Sequence, residues 1–90
     1  MSNSQNQKRF MDLGGHTVEV LARLEDDHWA SLAFIHGTKT SVRGAILDLP
    51  SCRESFVRSL AAGILDPSDI EEYDEVCAQI EDALCEMMQG

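Results

Sequence analysis

The sequence predicts an α+β domain, a three-stranded antiparallel sheet in a meander followed by two helices, the last of them long, acidic and amphipathic. Three observations carry that expectation. Apolar residues recur with a period of two up to about residue 46, the period becomes that of a helix after Pro50, and Gly- or Asp-rich turns separate the runs. With 90 residues, 43% of them apolar and 26% charged, the composition is that of one ordinary globular domain. A chain this short buries only about 60–65% of the surface its unfolded form exposes, so the core is expected to be thin.

The elements follow in order. Residues 1–9 are expected to form a flexible tail, because nothing apolar anchors the start, and residues 10–90 to form the domain. KRFMDL reads as a short edge strand or a brief helical turn, ended by Gly14-Gly15. HTVEVLARL alternates, with Val18, Val20, Ala22 and Leu24 on one face and Glu19 and Arg23 on the other, as in a half-buried strand. The polar stretch from Glu25 to His28 turns the chain into WASLAFI, a second β-prone run, and the two make a hairpin. TSVRGAIL supplies the third strand, with Val42, Gly44 and Ile46 sharing a face opposite Arg43.

After Pro50, Ser51 and Glu54 fit a capping box, and Phe56, Val57, Leu60 and Ile64 fall on one helical stripe that ends near Gly63. Asp66-Pro67 then turns the chain, and a second capping box, Ser68 with Glu71, opens a helix over about residues 69–88.

Charge is distributed unevenly. Of the net charge of -9, residues 1–65 contribute nothing, because Lys8, Arg9, Arg23, Lys39, Arg43, Arg53 and Arg58 are balanced by Asp12, Glu19, Glu25, Asp26, Asp27, Asp48 and Glu54. The last 25 residues carry the whole imbalance, nine carboxylates without a Lys or Arg. That distribution argues against direct binding to nucleic acid, where a basic face supplies most of the affinity, and favours a basic protein as partner. The amino-terminal MSNSQNQKRF lacks the apolar run of a secretory signal and no stretch is long enough to span a bilayer, so a cytoplasmic protein without a membrane contact is expected. Cys52, Cys77 and Cys85 show no CxxC spacing and are expected to be free thiols.

On a helical wheel started at Ile70, the residues Ile70, Tyr73, Val76, Cys77, Ile80, Ala83, Leu84, Met87 and Met88 occupy an arc of about 140°, and the carboxylates occupy most of the rest. The apolar stripe has two readings. It is core packed on the sheet, or, with Tyr73, Ile80, Leu84 and Met87 at 3-4 spacing, it is the seam of a homodimer.

The acidic face also divides. Asp69, Glu71 and Glu72 sit in the first turn, where the helix dipole favours a carboxylate by about 0.3–1 kcal/mol. Glu81, Asp82 and Glu86 lie toward the disfavoured end, with no Lys or Arg at i±3 or i±4, and like-charged neighbours such as Asp82/Glu86 each cost about 0.2–0.5 kcal/mol. Eight carboxylates along a helix of about 30 Å give one per ~3.7 Å, against 3.4 Å between phosphates of a single DNA strand. The candidate partner-binding residues are therefore Asp74, Glu75, Glu81, Asp82 and Glu86, facing a basic protein surface.

No cofactor, metal or catalytic constellation stands out, and a non-enzymatic role is expected. DPSDIEEYDEVC lacks the glycine and carboxylate spacing of an EF-hand. His28 and His36 flank one strand and lie far apart along it, so shared metal ligation is disfavoured. Cys52, near a helix start and beside Arg53, is the single plausible nucleophile, and no His adjoins it in sequence.

In layout and charge, three antiparallel strands and then SCRESFVRSLAAGILDPSDIEEYDEVCAQIEDA, the chain resembles small acidic anti-CRISPR proteins of phages and mobile elements. That resemblance implies a DNA-mimic inhibitor occupying the nucleic-acid cleft of a CRISPR effector, with no individual inhibitory residue carried over. The acidic turn EDDHWAS followed by DLPSC and a helix also resembles the HicB-type antitoxin pattern, though here an additional strand lies between them and the acidic last helix is not part of that pattern. Both resemblances imply a small protein that neutralises a nucleic-acid-acting partner. The alternative is a homodimeric regulatory or antitoxin-like module whose last helix is mainly core and interface.

Overall fold

A glycine pair, a two-residue acidic turn and a turn at Gly37 let the first half of the chain fold back on itself three times. In the computed structural model, which describes residues 6–65, 68 and 70–89, this half forms a four-stranded antiparallel sheet in the order β1-β2-β3-β4. The strands are β1 (Asn6–Leu13), β2 (His16–Glu25), β3 (His28–Ile35) and β4 (Ser41–Gly44). Two helices follow, α1 (Pro50–Ile64) and α2 (Ile70–Gln89). The fold is α+β, with one strand more than the expected meander.

The added strand is KRFMDL extended by Asn6 and Gln7 at its amino-terminal end. It pairs with β2 along its whole length, from Asn6 opposite Arg23 to Leu13 opposite His16. Residues 6–9, expected in a flexible tail, are therefore in the sheet; residues 1–5 lie outside the described residues. Gly14 and Gly15 close this hairpin with φ of 56° and 82°, the positive-φ pair that a two-residue turn matched to strand twist requires.

The alternation in β2 behaves as read. Val18, Val20 and Ala22 are buried, and across the register Ala33 and Ile35 of β3 complete the same apolar face. Trp29 joins them at the start of β3, and Ser31, the one buried polar residue described, donates its hydroxyl to the Leu21 carbonyl at 2.8 Å.

The last strand is shorter than expected. After Gly44 the backbone turns through Ile46, whose φ is 56°, so Ile46 is exposed and Leu47, not Ile46, enters the core. Two hydrogen bonds clip this turn to β3: Leu47 N–H to the Trp29 carbonyl at 2.7 Å, and Trp29 N–H to Asp48 Oδ2 at 2.9 Å.

Helix α1 starts two residues earlier than the capping-box reading. Pro50 occupies the first position, where its missing N–H costs nothing, and Leu49 is the cap residue without a side-chain hydrogen bond, so Ser51 is already helical. Phe56, Val57 and Leu60 are buried on the predicted stripe. The Asp66-Pro67 turn and Asp69 lie outside the described residues. Both helices cover the same face of the sheet, α2 over β1 and β2 and α1 over β3 and β4, and they pack on each other. One core joins all of these elements. No described element covers the opposite sheet face.

Candidate functional site

The terminal helix has two functions to serve with one surface, and burial separates them. Val76, Ile80, Ala83, Leu84 and Met87 are buried against the sheet and α1, while Glu71, Glu72, Asp74, Glu75, Glu81, Asp82 and Glu86 are exposed. Ile70, read as part of the apolar stripe, is 68% exposed because it lies in the first turn, ahead of the buried stretch.

The dimer-seam reading meets a direct obstacle here. Ile80 and Leu84 are 0% exposed and Met87 is 3% exposed within one copy of the chain. Tyr73 is half-buried and donates its hydroxyl to the Arg58 carbonyl of α1 at 3.1 Å. A thin sheet of this size has to be covered by something, and the stripe of α2 is what covers it. Ile80, Leu84 and Met87 offer no surface to a second copy, and Tyr73 keeps only part of its own.

The carboxylates read as unbalanced are also placed differently from what local spacing implied. Arg9 Nη1 donates to Glu86 Oε1 at 2.8 Å, reaching from β1 to α2 across 77 positions of sequence. Arg53 Nε lies 3.7 Å from Glu81 Oε1, with Arg53 only 19% exposed. That Nε is itself buried and has no hydrogen-bond partner among the described residues, so the contact is electrostatic. Arg53 instead donates from Nη1 to the Leu47 carbonyl at 3.0 Å, tying α1 to the turn after β4. Two of the three carboxylates near the helix end thus have cationic partners from other elements.

What remains is an acidic surface shifted toward the start of α2. Glu71, Asp74, Glu75 and Asp82 are exposed and make no ion pair among the described residues. Of the five candidate partner-binding residues, Asp74, Glu75 and Asp82 are available to a partner, while Glu81 and Glu86 are shared with the fold. The overlooked signal was in β1: once KRFMDL is a strand, Arg9 shares its core-facing side with Met11 and Leu13, and a cation there needs a carboxylate from whatever covers the sheet.

Chemistry elsewhere is sparse. Cys52 is half-buried beside a depression of about 290 Å³ lined by Arg43, Ser51, Ser55 and Ser59, among others, with no histidine in the lining. Burial pushes the Cys77 thiol above its ordinary range, and likewise the Tyr73 phenol beside it. His36 Nε2 is 3.0 Å from Glu19 Oε1, and this hydrogen bond, helped by Lys8, holds the Glu19 carboxyl below its usual value. Among the described residues no three His, Cys, Asp or Glu side chains cluster as metal ligands, and no helix is long and apolar enough to cross a membrane.

Neither a protein-family model, nor a curated protein, nor a solved structure matches the chain. The functional reading therefore rests on the geometry and charge of the chain itself.

Proposed function

We propose that this is a non-enzymatic inhibitor or interaction protein that presents the exposed face of α2 to a basic, nucleic-acid-binding protein surface. The observation that carries the reading is the segregation of charge. Asp74, Glu75 and Asp82 stand exposed with Glu71 on a helix whose opposite face is committed to the core, and no Lys or Arg of the same helix offsets them.

A rigid rod of carboxylates suits a cleft built for phosphates. Its pitch and length are comparable to a few nucleotides of backbone, and its attraction is long-ranged, so charge raises the association rate more than the final affinity. Ion pairs from Arg9 and Arg53 hold the far end of the rod to the body. Binding of this kind falls as salt shortens the screening length from about 10 Å at 0.1 M toward 3 Å at 1 M.

The test is inhibition of target-DNA binding by purified CRISPR effectors, measured by gel shift with and without the protein. The expected result is salt-sensitive inhibition of an effector by the natural chain and loss of it in Asp74→Lys, Glu75→Lys, Asp82→Lys. Equal inhibition by that triple variant would end the acidic-helix reading.

A further inference from the structure

We infer that two copies of the chain associate through the bare faces of their sheets, about a two-fold axis lying along the row Lys8, Leu21, Leu32, Arg43. This surface is distinct from the acidic face of α2, and the inference does not depend on the function proposed for that helix.

Strand register defines the rows on the bare face. One row is Lys8, Leu21, Leu32 and Arg43; on one side of it lie Asn6, Arg23 and Ala30, and on the other Phe10, Glu19, Phe34 and Ser41. Phe10 is 57% exposed and Phe34 38%, in one row with Glu19 between them, and Leu21, Leu32 and Ala30 in the neighbouring rows are half-exposed. An apolar patch of that extent, rimmed by charges, is the usual mark of an interaction site on a small soluble protein.

Charge selects the occupant. The chain carries -9, yet this face sums to zero, Lys8, Arg23 and Arg43 against Asp12, Glu19 and Glu25. It is the side on which two molecules of net charge -9 approach with the least repulsion.

The centre and flanks of the pattern are self-complementary. Rotation about the leucine row lays Leu21 and Leu32 on their own counterparts and exchanges the two flanking rows, while Lys8 and Arg43, each beside its own counterpart, stay at the solvent-facing ends of the row. Arg23 then faces Glu19 of the second copy, and the small Ala30 faces the large Phe34. Face-to-face sheets pack about 10 Å apart, a gap that leucine and phenylalanine side chains fill. Strands of about eight residues at about 3.3 Å per residue, with β4 half that length, and a spacing of about 4.8 Å give a footprint of at most roughly 26 by 19 Å. That is below the ~800 Å² per partner of a standard stable interface, so the association is weak and concentration-dependent. Both α2 helices would then face outward on opposite sides, making the assembly bivalent.

Sedimentation velocity of the full chain, from about 1 to 500 µM, tests this. A monomer–dimer equilibrium is expected, weakened by about 100-fold or more in Leu32→Glu, as for truncation of a central contact. Leu32→Thr keeps strand propensity and is expected to weaken it in the same direction, so a folding defect cannot account for the result. Arg23→Glu weakens the dimer and adding Glu19→Arg restores it. The inference is overturned by a monomer over the whole range, by an unchanged dimer in both Leu32 variants, or by growth beyond the dimer, which marks a head-to-tail contact.

Discussion

Adjacent residues in the acidic face should respond in opposite directions to the same charge reversal. Glu81 lies 3.7 Å from Arg53 Nε, so Glu81→Lys removes an ion pair and places two cations together. The lost attraction is worth about 0.5–1 kcal/mol, since Glu81 is half-exposed. The new repulsion adds about 1 kcal/mol at ~4 Å in near-aqueous dielectric. Asp82 faces no cation, and Asp82→Lys relieves its repulsion with Glu86, about 0.2–0.5 kcal/mol, while replacing a poor helix former with a good one, about 0.4 kcal/mol. For a domain of this size 1 kcal/mol moves Tm by about 4–8 °C. Glu81→Lys should therefore lower Tm by about 6–16 °C and Asp82→Lys should raise it by about 2–7 °C, measured by circular dichroism in 20–50 mM salt, with the gap narrowing in 0.5 M salt. If both variants shift Tm in the same direction, the Arg53–Glu81 contact does not organise this end of the helix.

Other substitutions check other parts of the fold. Gly44→Ala would set a Cβ 2.8 Å from the Phe56 ring and 3.0 Å from the Phe56 Cβ, so α1 must shift; a loss of about 1–3 kcal/mol in urea unfolding is expected, partly recovered by adding Phe56→Leu. Ile46 holds a positive φ of 56° that a β-branched residue rarely adopts, and Ile46→Gly should stabilise by about 1 kcal/mol in the same assay. Leu84→Ala should cost about 2–5 kcal/mol and, being core, should lower Tm equally at all protein concentrations, whereas a dimer seam would make the loss concentration-dependent. His28 bonds Asp27 Oδ1 at 3.1 Å, which raises its pKa above 6.5. The stabilisation is present below the unfolded value and lost as pH rises through the folded one, and an NMR titration should find the shift abolished in Asp27→Asn.

Legibility in the sequence tracked how local the determining physics was. Val18, Val20 and Ala22 alternate because one face of β2 meets the core, and Phe56, Val57 and Leu60 recur at helical spacing for the same reason; such patterns need no partner to be read. β1 was harder, since Phe10, Met11 and Asp12 give no clean alternation when Phe10 faces solvent at 57% exposure. Its strand character comes from pairing with β2, which is non-local. The Ile46 turn was invisible because a β-branched residue at positive φ contradicts propensity and is held there by the hydrogen bonds of Leu47 and Asp48 with Trp29. In the candidate site, the exposure of Asp74, Glu75 and Asp82 followed from helix periodicity. The pairing of Glu86 with Arg9 could not be found by searching i±3 and i±4, because the cation arrives from a strand.

Charge is sorted between the two sides of the molecule by how the arginines are used. Arg9, Arg53 and Arg58, on the side of the helices, each meet a glutamate, Glu86, Glu81 and Glu54. Arg23 and Arg43, on the bare sheet face, make no ion pair among the described residues. The helix side therefore spends its cations on holding the fold and shows carboxylates to solvent, while the sheet side shows both signs around an apolar centre. Salt must then act on the two surfaces with opposite sign. Screening weakens the attraction of α2 for a basic cleft, and it also weakens the mutual repulsion of two chains of charge -9, which favours contact through the sheets. One salt series read by two assays, DNA-binding inhibition and sedimentation, would separate the surfaces without any mutation: inhibition falls with salt while the dimer fraction rises.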